Sequence, residues 1–516
     1  VDKVLILDFG SQYTQLIGRR IREIGVYTEI LPAETRLDVA RLQGVKGIIL
    51  SGSPFSAYDE GAPALDPTVY ATGLPVLGIC YGIQRLTLEL GGRVERLSER
   101  EYGRKPVRLV APDPLLEGLP AEISSWMSHG DSIAAAAPGF EVLAVSEGGI
   151  AAALRHGERR LWGLQFHPEV SHCEGGMRIL ENFAVGICGA AREWSMAAFL
   201  DAERAAIRGK VGEGEVLLLI SGGVDSTVAG AFLLETLPKE RVHLLYIDTG
   251  LMRKAESEEV MKSLRALGAT HLHMVEAEEV FLSRLAGVVE PEEKRKIIGN
   301  LFIEIQEREV ARLGIPEAFL VQGTLYTDLI ESGKGVGSKA QVIKSHHNVR
   351  GALVEKKRAE GRIIEPLDRL YKDEVRALGR LLGLPESVVG RHPFPGPGLG
   401  VRILGEVTKE GCELLREADA VYIAELRARG LYAKIWQAFS VLLPLRSVGV
   451  AGDERKYGSV LALRAVVSED GMTADVYPFE MADLLAISSA ITNRVPAIGR
   501  VVYDVSSKPP ATIEWE

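Results

Sequence analysis

The chain has 516 residues, 46% hydrophobic and 25% charged, with a net charge of −10 from 60 basic and 70 acidic side chains. That composition excludes wholesale disorder and fibrous repeats, and the acidic balance disfavours a duplex nucleic-acid binder. At about 150 residues per domain, the length allows two to four domains. Four cysteines are too few to staple a scaffold, and no C-x-x-C pair points to zinc. The longest apolar runs, such as Val216–Ile220, fall short of the roughly 20 residues of a membrane span. The start, Val-Asp-Lys-Val-Leu-Ile, has no signal-peptide pattern, so a cytoplasmic protein is expected.

Residues 1–190 read as an α/β domain with a mostly parallel sheet. Val4–Leu7, Gly47–Leu50 and Val76–Ile79 are short apolar strands, and Thr14–Ile24 has a helical pattern. In Gly78-Ile79-Cys80-Tyr81-Gly82 a strand runs into Cys80 and a helix runs out of it. Glycines lie two residues to either side. This is the layout of a nucleophile elbow with cysteine in place of serine. The helix amino terminus favours a thiolate.

A nucleophilic cysteine needs a base. The strand-like Leu161–Phe166 ends in His167-Pro168-Glu169. Proline keeps His167 extended, so Glu169, two residues on, points to the same side and can orient the imidazole. His129, His156 and His172 are rival bases without that setting.

Gly-Ile-Cys-Tyr-Gly followed by Phe-His-Pro-Glu resembles the class I (triad) glutamine amidotransferases. The resemblance implies Cys80 as nucleophile, His167 as general base and acid, and Glu169 as the orienting residue. It also implies the Gly52 and Tyr81 N–H groups as an oxyanion hole, with Ser51–Pro54 as the oxyanion loop. Gln84, His129, Gly130 and Asp131 correspond to residues that grip glutamine.

Residues 191–391 read as a second parallel-sheet α/β domain. The strand Val216–Ile220 leads into Ser221-Gly222-Gly223-Val224-Asp225-Ser226 and then a helix from Thr227 to Leu237. A strand, a Gly/Ser turn and a helix amino terminus make an anion cradle. Asp225 beside phosphate suggests a bridging Mg²⁺. The Gly-Lys-Ser/Thr ending of a Walker A loop is absent. The motif is similar to the pyrophosphate loop of the N-type ATP pyrophosphatases, which split ATP into AMP and pyrophosphate. ATP-site residues are then Ser221, Gly222, Gly223, Val224, Asp225 and Ser226. Asp248 and Leu251 join them after the next strand, with Gly323 and Lys344 further on. The Gly/Lys-rich stretch 331–339 reads equally as a solvated loop or a phosphate-closing lid.

Residues 392–516 open on a rigid connector, Arg391-His392-Pro393-Phe394-Pro395-Gly396-Pro397-Gly398. Beyond it, a helix near 408–430, strands near 460–467 and 500–505, and a helix near 480–494 suggest a small α+β unit. The Tyr- and Trp-bearing tail reads as a docking segment or, more simply, as a stretch packed into its own domain. This order of motifs resembles the glutamine-hydrolysing GMP synthetases over essentially the whole chain. The resemblance implies XMP, MgATP and glutamine as substrates, and a C-terminal domain that forms a homodimer and helps bind XMP. It implies Arg295, Gln437, Lys508, Ile513 and Glu514 as XMP contacts. Arg350 stands where that pattern has a glycine. Another ATP-pyrophosphatase amidotransferase, acting on a different carbonyl substrate, is the alternative.

Overall fold

A computed structural model describes residues 1–331, 352–451, 454–468 and 474–516. They fall into two compact units. One is built on Val1–Phe199, the other on Leu200–Tyr326 and the described residues after 351. Lys344, Arg350 and nearly all of the Gly/Lys-rich stretch lie outside the described residues.

The strands of the first unit are β1 (Lys3–Asp8), β2 (Tyr27–Pro32), β3 (Val45–Leu50), β4 (Val76–Ile79), β5 (Arg93–Leu109), β6 (Glu122–Ala135), β7 (Glu141–Ser146), β8 (Ala151–His156) and β9 (Leu161–Leu164). They form one sheet in the order β2-β1-β3-β4-β9-β8-β7-β5-β6. The half from β2 to β9 is parallel. The half from β9 to β6 is antiparallel. Composition explains the split. All four residues of β4 and of β9 are buried, as in a strand covered on both faces. In β6, buried positions alternate with exposed ones along its first half, as in a strand with one wet face. The helix Thr14–Glu23 buries Ile17 and Ile21 on one stripe, which lets it cover the parallel half.

The second unit has a five-stranded parallel sheet of β10 (Val216–Ile220), β11 (Val242–Asp248), β12 (His271–Glu276), β13 (Phe319–Val321) and β14 (Ile363–Ile364). Its order is β12-β11-β10-β13-β14. A second sheet pairs β15 (Gln437–Ala451) antiparallel with β16 (Glu454–Val467). The short β17 (Asp475–Val476) and the parallel β18 (Ile498–Tyr503) complete it. The helices Lys409–Ala428 and Met481–Arg494 stand where the apolar spacing predicts them. One continuous apolar core joins both sheets. Ile298 and Leu301 share it with Leu399, Leu415, Tyr422, Leu461 and Ile487. Among the described residues no helix is long and apolar enough to cross a membrane.

Candidate active sites

Cys80 follows β4 directly and caps the helix Tyr81–Glu89 with φ +52° and ψ −105°. Such a conformation costs a non-glycine residue about 1–3 kcal/mol and persists only where its surroundings hold it. Here they do. The Cys80 N–H donates to the carbonyl of Leu164 at 2.7 Å. A Cβ on Gly82 would sit 2.6 Å from the Leu50 carbonyl oxygen, and one on Gly78 would sit 2.6 Å from the Ile83 nitrogen. Both flanking glycines are therefore required by close backbone approach.

β9 stops at Leu164, two residues short of the strand-like run. Gln165 N–H still bonds the Ala152 carbonyl of β8, but His167 N–H departs to the Trp126 carbonyl of β6. That departure delivers His167 to the cysteine. Its Nδ1 lies 2.7 Å from Glu169 Oε1, and both side chains are buried. Burial disfavours the imidazolium, but the charges of Glu169 and Cys80 and hydrogen bonds to both outweigh it. The His167 pKa is held well above its ordinary value. Tyr13 packs edge-on against the His167 ring at 4.9 Å. The rival His129 is driven the other way. Burial lowers its pKa to about 4, against a hydrogen bond to the Asp131 carbonyl, so it stays neutral.

A cavity of about 500 Å³ opens over the sulfur. Its wall includes Cys80, Tyr81, Gln84, His129, Gly130, Asp131 and His167. Gln84 Nε2 donates to the Asp131 carbonyl at 2.8 Å, and Asp131 accepts from Ser56 and from the Ala57 N–H. Gly52 is not itself a wall residue, but it lies against two that are: a Cβ there would sit 3.3 Å from His167 Cε1 and from Ser11 Oγ. Among the described residues the Gly52 and Tyr81 N–H groups have no hydrogen-bond partner. The wall also holds residues that motif reading passes over: Gly10–Tyr13, Ser56 and Arg96. Arg96 lies 3.9 Å from Asp131 Oδ1. The Gly10–Tyr13 turn follows β1, and a strand end in a parallel sheet is the one signal that could have flagged it.

In the second unit, Ser221–Gly223 connects β10 to the helix Val224–Thr236. Ser226 Oγ ties the loop to itself. It lies 3.0 Å from Ser221 Oγ, accepts from the Ser221 N–H and donates to the Gly223 carbonyl. Gly222 has φ +82°, and a Cβ there would meet Met252 at 2.9 Å. Asp225 lies in the first helical turn and binds Lys372 Nζ through both oxygens at 2.6 Å. No motif singles out that lysine. Gly323 backs on the loop at Asp225 and Ser226. Asp248 ends β11 and accepts from the Gly250 N–H. Leu251 is placed differently. Its side chain is in the core and its carbonyl accepts from Leu399 N–H. Arg416 clamps the same stretch through the carbonyls of Gly250 and Met252.

The tail docks against the residues expected to hold XMP. Arg295 donates to the Glu516 carbonyl, and Lys294, fully buried, pairs with the Glu516 carboxylate. Glu514 accepts two bonds from the fully buried Arg402, at 3.1 and 2.8 Å, and one from Gln437 at 2.7 Å. Ile513 is buried beside Phe439 and Val441. Lys508 pairs with Ala474 through the backbone in both directions. Arg402 and the equally buried Arg464 are further residues without a motif. Arg464 binds the carbonyls of Ser506, Thr512 and Ile513 and so staples the tail.

Fold and geometry together define a class: a triad amidotransferase carried on one chain with an ATP pyrophosphatase. Residues 5–187 match the family model "Glutamine amidotransferase class-I", residues 211–290 "Thiamine biosynthesis protein (ThiI)" and residues 424–515 "GMP synthase C terminal domain". The glutamine-hydrolysing GMP synthase of Symbiobacterium thermophilum is 52% identical over 100% of this chain and 99% of its own. That of Aquifex aeolicus is 50% identical over 99% of each, and that of Enterococcus faecalis 49% over 100% and 98%. The chain belongs to the glutamine-hydrolysing GMP synthases.

Proposed function

We infer that this chain makes GMP from XMP, with glutamine as nitrogen donor and ATP as the activating substrate. The observation that carries the reading is the full-length likeness, at about half identity, to GMP synthases that hydrolyse glutamine. In the reading, Cys80 Sγ attacks the glutamine carboxamide carbon, with Gly52 and Tyr81 N–H groups facing the oxyanion. His167, oriented by Glu169, protonates the departing nitrogen as ammonia and then activates the water that releases glutamate. Gln84, His129, Gly130 and Asp131 hold the glutamine backbone. Their shared cavity with Cys80 supports this.

At the second site the C2 oxygen of XMP attacks the α-phosphorus of ATP and pyrophosphate leaves. Ammonia then adds at C2 and AMP departs. Residues 221–226 are the proposed pyrophosphate cradle, with Asp248, Leu251, Gly323 and Lys344 around the nucleotide. Mg²⁺ enters as part of the MgATP substrate. Asp225 offers the single carboxylate that such an ion uses beside phosphate oxygens, with Lys372 as its competitor for those oxygens. Arg295, Gln437, Lys508, Ile513 and Glu514 are the proposed XMP contacts. Their convergence on one tail supports the assignment.

The domain division 1–190, 191–391 and 392–516 is proposed with this function. The three family matches fall one inside each span. We propose a homodimer through the last domain. Its hairpin β15–β16 leaves Leu445, Val448 and Tyr457 exposed, and the helix after it leaves Met481 and Leu485. A cytoplasmic location suits a nucleophile that must remain a thiol. Incubation with XMP and MgATP plus either glutamine or ammonium tests the reading. GMP from both nitrogen sources is expected. GMP from neither overturns it.

A further inference from the structure

Away from both sites, the second unit gathers three histidines at the amino ends of two strands. His243 is the second residue of β11, and His271 and His273 stand two apart on β12. The parallel register sets His243 against His271 and Leu245 against His273, so the three rings share one face. Their centroids are 4.6, 5.6 and 6.2 Å apart. One ligand nitrogen from each lies within 4.8 Å of the other two. The phosphate loop follows the carboxyl end of β10, at the opposite end of the same parallel sheet.

We propose that this cluster binds a divalent transition-metal ion of the Zn²⁺ class. Two observations point to a ligand set rather than to crowded surface residues. His243 Nδ1 lies 3.4 Å from His273 Nε2. In a tetrahedral site with Zn–N of about 2.0–2.1 Å, ligand nitrogens stand about 3.4 Å apart. The other nitrogen of His243, Nε2, is 3.4 Å from Glu215 Oε1. A carboxylate that accepts the Nε2–H hydrogen bond leaves the Nδ1 lone pair facing the cluster, which is how outer residues orient a metal-bound imidazole. His271, whose ring stacks on that of His243, would complete a tris-imidazole set by turning its ring, with water in the fourth position. The cations around the cluster have partners of their own: Arg312 pairs with Glu309, Arg241 with Glu213, and Lys239 donates to the Leu267 carbonyl. The bound ion would clasp the edge strand β12 to β11 and, through Glu215, to the residue just before β10.

The test is calorimetric titration of the full chain with ZnCl₂ at pH 7.5, with Cys80→Ala present throughout to remove the reactive thiol. One ion per chain is expected, with a dissociation constant in the micromolar range or tighter. The double variant His271→Asn/His273→Asn is expected to weaken binding at least 100-fold. Glu215→Gln is expected to weaken it about tenfold, at the lower end for an outer-shell partner. Co²⁺ serves as a second probe, whose visible spectrum reports tetrahedral coordination in the parent and not in the double variant. GMP formation from ammonium without added Zn²⁺ checks that each variant is folded. Binding weaker than about 100 µM by the parent overturns the proposal. So does equal affinity in parent and double variant.

Discussion

Lys372 Nζ sits 2.6 Å from both carboxylate oxygens of Asp225. The pair joins the first turn of the helix behind the phosphate loop to the first residue of the helix Lys372–Leu381. The Lys372 charge thereby balances a carboxylate at the loop, the one proposed above to meet MgATP. Lys372 is 39% exposed at its side chain, and in the proposed function it would move from Asp225 to a phosphate oxygen.

Asp225→Ala is expected to abolish XMP-dependent pyrophosphate release while glutamine hydrolysis persists. Lys372→Met is expected to cost 10–100-fold in kcat/KM for ATP, the loss of one charge-assisted contact of about 1.5–3 kcal/mol. Pyrophosphate release and glutamate formation, measured on the same preparation, check both. An unchanged kcat/KM in Lys372→Met would remove the lysine from ATP binding.

Cys80→Ala is expected to lose glutamine-dependent GMP synthesis by more than about 10³-fold, since the nucleophile is gone. Synthesis from ammonium is expected to stay within about twofold. The two nitrogen sources assayed side by side decide it, and loss of both would dissolve the separation of the two chemistries.

Glu169→Gln bears on pH. The folded pKa of His167 is raised, with the Glu169 charge the leading force that overcomes burial. The stability this pairing adds is fully present below the unfolded pKa of about 6.5 and is lost as pH rises through the raised folded value. Removing the charge lowers that value. The basic limb of the glutaminase profile should therefore move to lower pH by about one unit or more, with kcat down about 10²–10⁴-fold. A limb that does not move would mean that another group sets it.

His392 gives the opposite dependence. Burial lowers its pKa to about 4, opposed by a hydrogen bond to the Tyr432 carbonyl and reinforced by Arg253 and Arg376. Its ring is neutral, with Nε2 donating to Tyr432 O at 2.9 Å and Nδ1 accepting from Ala438 N–H at 3.1 Å. The unfolded chain takes up the proton first, so stability present above about pH 6.5 is lost as pH falls toward 4. In His392→Gln the urea midpoint should be lower at pH 7.5 but fall less between pH 6.5 and 5. Parallel slopes in the two proteins would contradict this.

Arg464 is fully buried and serves three tail carbonyls, and it lies 3.3 Å from Asp504. Arg464→Met removes a buried charge from its partners and is expected to cost about 3–5 kcal/mol. Urea denaturation measures that loss. The KM for XMP should rise in the same variant, because the tail bears Glu514 and Ile513.

Much of the site was legible because its chemistry is local in the chain. An elbow needs Gly78, Cys80 and Gly82 in one turn, and His167 with Glu169 needs only an extended backbone. A phosphate cradle is likewise one loop, from Ser221 to Ser226. Strands β5 to β8 were harder. Their apolar runs are more broken than those of β4 and β9, and in β15 the buried run Gln437–Leu442 carries the polar Gln437 and Ser440. The partners that finish each site were not legible at all. Lys372 stands 147 residues from Asp225, and Arg402 stands 112 from Glu514.

What the sequence alone determined, then, was the inventory: two α/β units, a cysteine on an elbow with its histidine and carboxylate, and a phosphate loop. Each follows from backbone geometry within a few residues. The tertiary structure decided everything that depends on distant segments meeting. It placed Leu251 in the core, set Arg96 and Gly10–Tyr13 around the glutaminase cavity, and brought His243 beside His273. Long-range contacts follow strand order and register, and those are set by how whole apolar faces pack rather than by any local motif.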